Sequence, residues 1–264
     1  MFLIRYYSAI AKIILFILPA LLISSCNRPY ELSKADKSVE TINDDNLLFK
    51  VDQPIKYSVS IKKDDINYGV NTEMVNFNFD EELPLVKISD SLPYVKYFSI
   101  TAQATTTENQ HNDYQSNIQF DFYDNNNEWI PIYQGTGVVD NEYNIWLHPP
   151  RVSYFKLLNL SAYPYVKLPL EINKTWDFTI PIGKQWGHNS LGSQWGKSTL
   201  IFDHQYTVSD SLIINDLPCY KIDAISSSSL GISHGTFYFN EDYGFVKMIF
   251  NKLDGTEIIF DLVK

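Results

Sequence analysis

From Ile55 onward the chain alternates apolar and polar residues repeatedly. In Ile55-Lys56-Tyr57-Ser58-Val59-Ser60-Ile61 every odd position is apolar. Val75, Phe77 and Phe79 alternate with Asn76, Asn78 and Asp80, and Ile118, Phe120 and Phe122 with Gln119 and Asp121. Leu200, Phe202, Tyr206 and Val208 share one face of a long run, and Ile258, Phe260 and Leu262 share another near the C-terminus. A period of two is the mark of half-buried antiparallel strands, because successive side chains leave a strand on opposite faces.

The breaks carry turn chemistry: Asp124-Asn125-Asn126-Asn127, Gly135-Thr136-Gly137, Asn240-Glu241-Asp242 and Leu253-Asp254-Gly255. The strongest local prediction is a terminal hairpin, Gly244–Asn251 with Thr256–Lys264, around Asp-Gly. Ser226 to Ser229 follows a strand and reads as a solvated turn. After the first 25 residues no long stretch has helical spacing, and only Tyr154–Leu160 admits a short helix. His148-Pro149-Pro150 cannot sit inside a central strand, since proline donates no ladder hydrogen bond. The Pro-rich segment from His148 to Pro169 is therefore a boundary between halves or a long crossing inside one barrel. The expected fold is all-β, one large curved antiparallel sheet or incomplete barrel over residues 47–264. Two β-sandwich-like halves, 47–147 and 153–264, are the alternative.

The N-terminus is of another kind. Met1–Lys12 carries Arg5 and Lys12 and no acid, and Ile13–Ile23 is wholly apolar. A spanning helix needs about twenty apolar residues, so this run reads as the core of a secretory signal, residues 1–25. Ile23-Ser24-Ser25-Cys26 resembles the bacterial lipobox, which implies cleavage before Cys26 and lipidation, including palmitate-type acylation, of its sulfur and amine. Two or three acyl chains give stable anchoring where one does not. Residues 26–46 after the cysteine are polar and charged, a disordered tether with an r.m.s. reach of roughly 25 Å. Acids do not cluster beside Cys26, so the expected location is the outer membrane, facing the periplasm.

Composition narrows the partners. Removing residues 1–25 takes away two of the 21 basic residues and none of the 31 acidic ones, leaving a net charge of −12. That balance excludes nucleic acid, whose affinity comes largely from cationic contacts, and an electrostatic membrane face. Once Cys26 is acylated only Cys219 remains, so neither an internal disulfide nor a cysteine-rich metal cage is available. Cys219, in a strand-like segment, is expected to be a small buried hydrophobe.

From Trp146 onward the chain resembles a group of uncharacterised Bacteroidota lipoproteins. The likeness rests on Trp146-Leu147-His148-Pro149-Pro150-Arg151, Lys167-Leu168-Pro169-Leu170, Trp176 and Gln185-Trp186-Gly187. It continues through Pro218-Cys219-Tyr220-Lys221-Ile222, Tyr238-Phe239-Asn240 and Tyr243-Gly244-Phe245-Val246-Lys247. The resemblance implies an envelope protein of unknown activity with an incomplete barrel round an apolar interior, like that of lipoprotein carriers. It carries over no catalytic residue, and residues 47–145 lie outside it.

Candidate ligand-binding residues come from two segments. Between two strand patterns, residues 183–197 contain Gln-Trp-Gly twice, at Gln185-Trp186-Gly187 and Gln194-Trp195-Gly196. Paired Trp186 and Trp195 faces with His188 close by suit a sugar or another ligand with an apolar face, although the indoles can equally cover an open end of the sheet. In His148-Pro149-Pro150-Arg151 the prolines pin the backbone, presenting His148 and Arg151, for example to an anion, or making a rigid corner. His204 falls on the face of Phe202 and Tyr206 and is expected to be a hydrogen-bonded core histidine, whereas His111 lies in a polar loop. None of the five histidines has a zinc-site spacing, and no Gly-x-Ser-x-Gly is present. No metal, cofactor or catalytic residue is assigned. The expected function is non-enzymatic binding or carriage of an apolar or glycan-like ligand. The alternatives are a structural subunit contacting an envelope protein and, third, a hydrolase using His188 or His148.

Overall fold

The structure, a computed structural model, describes residues 46–72, 85–88, 92–104, 115–183 and 199–264. The signal, Cys26, the tether up to residue 45, the Val75–Phe79 run, His111 and the loop with Trp186, His188 and Trp195 lie outside these residues. Residues 39–264 belong to one compact unit.

The alternating runs form fourteen strands among the described residues. The first seven are β1 (Ile55–Lys63), β2 (Ile66–Val70), β3 (Leu85–Lys87), β4 (Val95–Ala102), β5 (Ser116–Asp124), β6 (Trp129–Asp140) and β7 (Asn144–Leu147). The remainder are β8 (Tyr165–Lys167), β9 (Thr175–Ile182), β10 (Leu200–Ile214), β11 (Leu217–Ser228), β12 (Gly231–Asn240), β13 (Gly244–Asn251) and β14 (Glu257–Leu262). They make one sheet in the order β8-β7-β6-β5-β4-β1-β14-β13-β12-β11-β10-β9, with β2 and β3 appended beside β1. The pairings between named strands are antiparallel. The first strand thus lies between β4 and the last, β14, and joins the two halves of the chain into one sheet.

That sheet curls into a nearly closed, barrel-like form. Its two end strands meet through side chains: Tyr165 of β8 has its ring 6.0 Å from Trp176 and 5.7 Å from Phe178, both on β9. Alternation sets the inner face. On β10, Leu200, Phe202, His204, Tyr206 and Val208 are buried while Ile201, Asp203 and Gln205 between them are exposed.

The Pro-rich segment is a crossing inside the barrel. Between β7 and β8, which pair with each other, the chain passes through a 3-10 helix, Ser153–Leu160. Phe155, Leu158, Ala162 and Tyr163 of this segment are all buried. Phe155 stacks on Phe122 of β5 and lies edge-on to Phe260 of β14, both at 5.9 Å. At its other end Tyr163 reaches β10, where Tyr206 Oη donates to the Tyr163 carbonyl at 2.9 Å. Sheet strands bury one face only, so a curled sheet of this size needs such a filling.

Two turn predictions fail. Gly135-Thr136-Gly137 lies within β6, where a Cβ on Gly137 would meet the Gln115 side chain. Gly137 marks a close approach inside a strand, and neither glycine marks a reversal. The Ser226–Ser229 run is likewise not a solvated turn: β11 continues through Ser228, and Ser226 faces inward. The other three turns join β5 to β6, β12 to β13 and β13 to β14, with Asn127 and Gly255 at φ of 64° and 78°. Ahead of β1, the Leu48 and Phe49 N–H groups both donate to Asp140 Oδ2 of β6 at 2.8 Å. Burial raises the Asp140 carboxyl pKa, against the lowering effect of these bonds.

Candidate functional site

The inner wall made by β7 to β11 is lined by rings of every aromatic kind. Trp146 comes from β7, Tyr165 from β8, Trp176 and Phe178 from β9, and Phe202, His204 and Tyr206 from β10. Tyr163, from the crossing segment, lies among them, 5.6 Å from Trp146 and 6.0 Å from His204. Phe178 is 5.9 Å from His204 and 6.3 Å from Trp146, while Trp176 stacks on Tyr206 at 5.4 Å.

Several polar atoms in this wall have no hydrogen-bond partner. Among the described residues, eight buried side-chain N and O atoms are unpartnered. Six of them belong to this region: Trp146 Nε1, Asn159 Nδ2, Trp176 Nε1, both ring nitrogens of His204, and Ser226 Oγ. Such groups are rare in folded proteins because each forfeits its hydration without compensation. Three of these residues surround Tyr163: Trp146 and His204 lie beside its ring, and Asn159 is bonded to its hydroxyl. Tyr163 Oη donates to Asn159 Oδ1 at 3.1 Å, leaving the Asn159 amide NH2 free. His204 and Ser226 are direct cross-strand partners on β10 and β11, which places their Cα atoms roughly 4.5–5.5 Å apart. Next along that row, Ser233 of β12 pairs with Ser226 and donates to the Leu160 carbonyl of the crossing segment at 3.2 Å.

His204 is therefore a core histidine, as the pattern predicts, but not a hydrogen-bonded one. Burial pushes its pKa down to about 4, against the small opposing pull of Asp203. Asp203 lies on the other face of β10, where Thr179 donates to it at 2.7 Å, so no carboxylate orients the imidazole. A neutral imidazole keeps one donor and one acceptor.

His148 and Arg151 lie beside the same cluster, held by their own scaffold. The His148 ring is 5.0 Å from Tyr163 and 5.9 Å from Trp146. Its Nδ1 donates to the Pro149 carbonyl at 2.8 Å. Burial, helped by the charge of Arg151, takes its pKa down to about 3. The Arg151 backbone N–H donates to Gln134 Oε1 at 3.0 Å, and its Nη2 donates to the Gly135 carbonyl at 3.2 Å. The corner is rigid, as its prolines require, and this part of the Arg151 fork is spent on β6. Tyr163 consequently stands between two neutral histidines, His148 and His204. Cys219 is buried in β11, its thiol donating to the Leu217 carbonyl at 3.4 Å, and burial raises its pKa. Among the described residues no group of three His, Cys, Asp or Glu side chains has a geometry able to hold a metal ion.

Ser226 and Asn159 escaped the sequence reading for different reasons. Ser226 continues the inward series Ile222, Ala224, and extending the alternation two more residues would have found it. Asn159 sits in an irregular crossing, where no periodicity assigns a face.

No family model matches the sequence, and no curated protein matches it. Three solved structures have similar shapes. An inferred exported protein with a YmcC-like fold from Bacteroides fragilis shares 9% identity, with 83% of this chain and 99% of the other covered and a TM-score of 0.44. An inferred lipoprotein from Parabacteroides distasonis shares 8%, over 82% and 97% of the chains, at a TM-score of 0.38. The hypothetical lipoprotein YmcC from Escherichia coli shares 9%, over 83% and 91%, at a TM-score of 0.31. At these scores the likenesses are weak, and the all-β barrel-like assignment rests on this chain's own strand pairing.

Proposed function

We propose that this chain is a lipid-anchored protein of the bacterial cell envelope whose barrel-like body binds a small ligand in its interior without transforming it. The observation that carries the binding reading is the set of unpartnered polar atoms on an aromatic inner wall. Ligand sites combine apolar and aromatic walls with a few convergent polar groups, and this wall has both. Catalysis would need a base held in place and matched to its task. His204 has no orienting carboxylate, and both His204 and His148 are held far below neutral pKa by burial. The anchor reading rests on Ile23-Ser24-Ser25-Cys26. Anchoring by lipid places the body in the envelope, with the outer membrane and its periplasmic face as the finer assignment.

The ligand that suits the wall has an apolar or ring-shaped body and few polar groups, which includes glycan-like molecules. Native mass spectrometry of the full-length protein, released from its own envelope, tests this directly. A retained small molecule of constant mass, lost on unfolding, is the expected result. A bare polypeptide carrying only its acyl chains sinks the binding reading. Co-purification with a stoichiometric protein instead favours an accessory subunit. Loss of lipid labelling in Cys26→Ser tests the anchor separately, and retained labelling refutes it.

A further inference from the structure

Four of the residues with unpartnered polar atoms, Trp146, Asn159, His204 and Ser226, also restrict what the ligand can be. Trp146 Nε1 offers one donor, the Asn159 amide two, neutral His204 one donor and one acceptor, and Ser226 Oγ one donor with acceptor capacity. Donors outnumber acceptors, so the missing partner is rich in oxygen acceptors. None of the four carries a charge. Among the described residues, Arg151 donates to the Gly135 carbonyl while its charge is felt at Tyr163 and His148, and Lys252 donates to Tyr154 Oη at 3.0 Å and lies over its ring at 4.3 Å. Asp203, the carboxylate adjacent in sequence, faces the other side of the sheet. An ion brought here would lose its hydration, and among the described residues no charged side chain is hydrogen-bonded to these four, so it would cost far more to bury than a neutral polar group.

Resting on the binding reading above, we propose that His204, Ser226, Asn159 and Trp146 form the recognition site for a small uncharged molecule bearing a hydroxyl or carbonyl oxygen. Its apolar part lies against the rings of Tyr163 and Phe178, which flank His204 on the crossing segment and on β9. The polar oxygen takes up the donors of His204 and Ser226, whose strands are hydrogen-bonded neighbours. His204 and Ser226 are each only 1% exposed, so a molecule held there is shut off from solvent.

Four probes of one shape separate the charge classes: benzyl alcohol and benzamide are neutral, benzoate is an anion and benzylammonium a cation. The full-length chain, with isotope-labelled histidine, is titrated with each, following the five imidazole signals and the melting temperature. The neutral probes are expected to shift the His204 signal and raise the melting temperature, and the two ions are not. Ser226→Ala should weaken neutral-probe binding at least tenfold. It should leave the melting temperature of the free protein unchanged or higher, because it removes a buried oxygen that has no partner. His204→Phe, which keeps the ring volume, should abolish binding in the same way.

A free-protein melting temperature that falls in Ser226→Ala marks a purely structural serine, bridged by internal water, and overturns the proposal. Equal binding of the ions overturns the uncharged class, and a silent His204 signal with all four probes overturns the site. Should native mass spectrometry find a retained ligand that survives both substitutions, this site fails while the binding reading stands. Should no ligand be retained and no probe bind, both fail.

Discussion

The two ends of the crossing segment rest in aromatic surroundings of opposite character. Phe155 enters a cluster built almost wholly of phenylalanine: Phe98 is 4.8 Å from Phe260, 5.6 Å from Phe120 and 6.2 Å from Phe122. The one polar tip beside it, Tyr57 Oη, donates to the Phe245 carbonyl at 2.9 Å. Tyr163, eight residues later, sits among tryptophan, tyrosine and histidine, with unpartnered donors and acceptors on several sides. A wall of phenyl rings is complete as soon as it is packed. A wall with indole, imidazole and amide groups is complete only when every polar edge has a partner. The first is a core, and the second has the form of a site.

Truncation should break the comparison most visibly. Phe98→Ala or Phe260→Ala removes a ring at the centre of the phenyl cluster and should cost about 3–5 kcal/mol, read by chemical denaturation. If either loss is below about 1 kcal/mol, the cluster is not the packed core described, since that is less than the lower end for such cavities. Tyr206→Phe tests the other wall. It deletes the hydrogen bond to the Tyr163 carbonyl and leaves that carbonyl without this donor, so a loss of about 1–3 kcal/mol is expected. The matching change Tyr57→Phe should cost a similar amount, because there too a buried carbonyl loses its donor.

Acid should act on the polar wall through its two buried histidines. The folded pKa values of His204 and His148, about 4 and about 3, lie below the unfolded value near 6.5. Above that value both states hold neutral rings and nothing is lost. As pH falls below it the unfolded chain binds protons that the folded chain refuses, so stability drops until the folded pKa values are reached. Between pH 7 and pH 5 the loss should be roughly 1–2 kcal/mol per histidine. Denaturant titrations at several pH values check this. A His204→Phe variant with the same acid slope as the parent would show that His204 titrates normally and is not held neutral.

How much was legible in the sequence depended on periodicity. β1, β5, β10 and the final hairpin were visible because one face of each is apolar and the other is wet. The same pattern placed His204 inward, but it could not say whether a partner awaited it there. A partner is a matter of which strand lies alongside and what the crossing segment brings. Glycine misled at Gly135 and Gly137, because the same residue serves both a turn and a close approach within a strand. Serine misled at Ser226, because a run of serines matches a turn in composition while one member faces the core. The sequence could not say what His148 and Arg151 meet; the fold turns His148 towards Tyr163 and Arg151 onto the Gly135 carbonyl.

By itself, then, the chain determined its class of fold and its acidic balance, and it carries the run Ile23-Ser24-Ser25-Cys26 on which the proposed anchor rests. These are local properties, set by neighbours a few residues apart. The sequence left undecided whether residues 148–169 separate two halves or run through one interior. Tertiary structure decided that, by pairing β1 with both β4 and β14 and drawing the segment between the phenyl and the polar walls. Contacts such as Phe155 with Phe260, or Tyr163 with His204, join residues far apart along the chain. Their geometry follows from sheet curvature and strand order, which no pattern of nearest neighbours encodes.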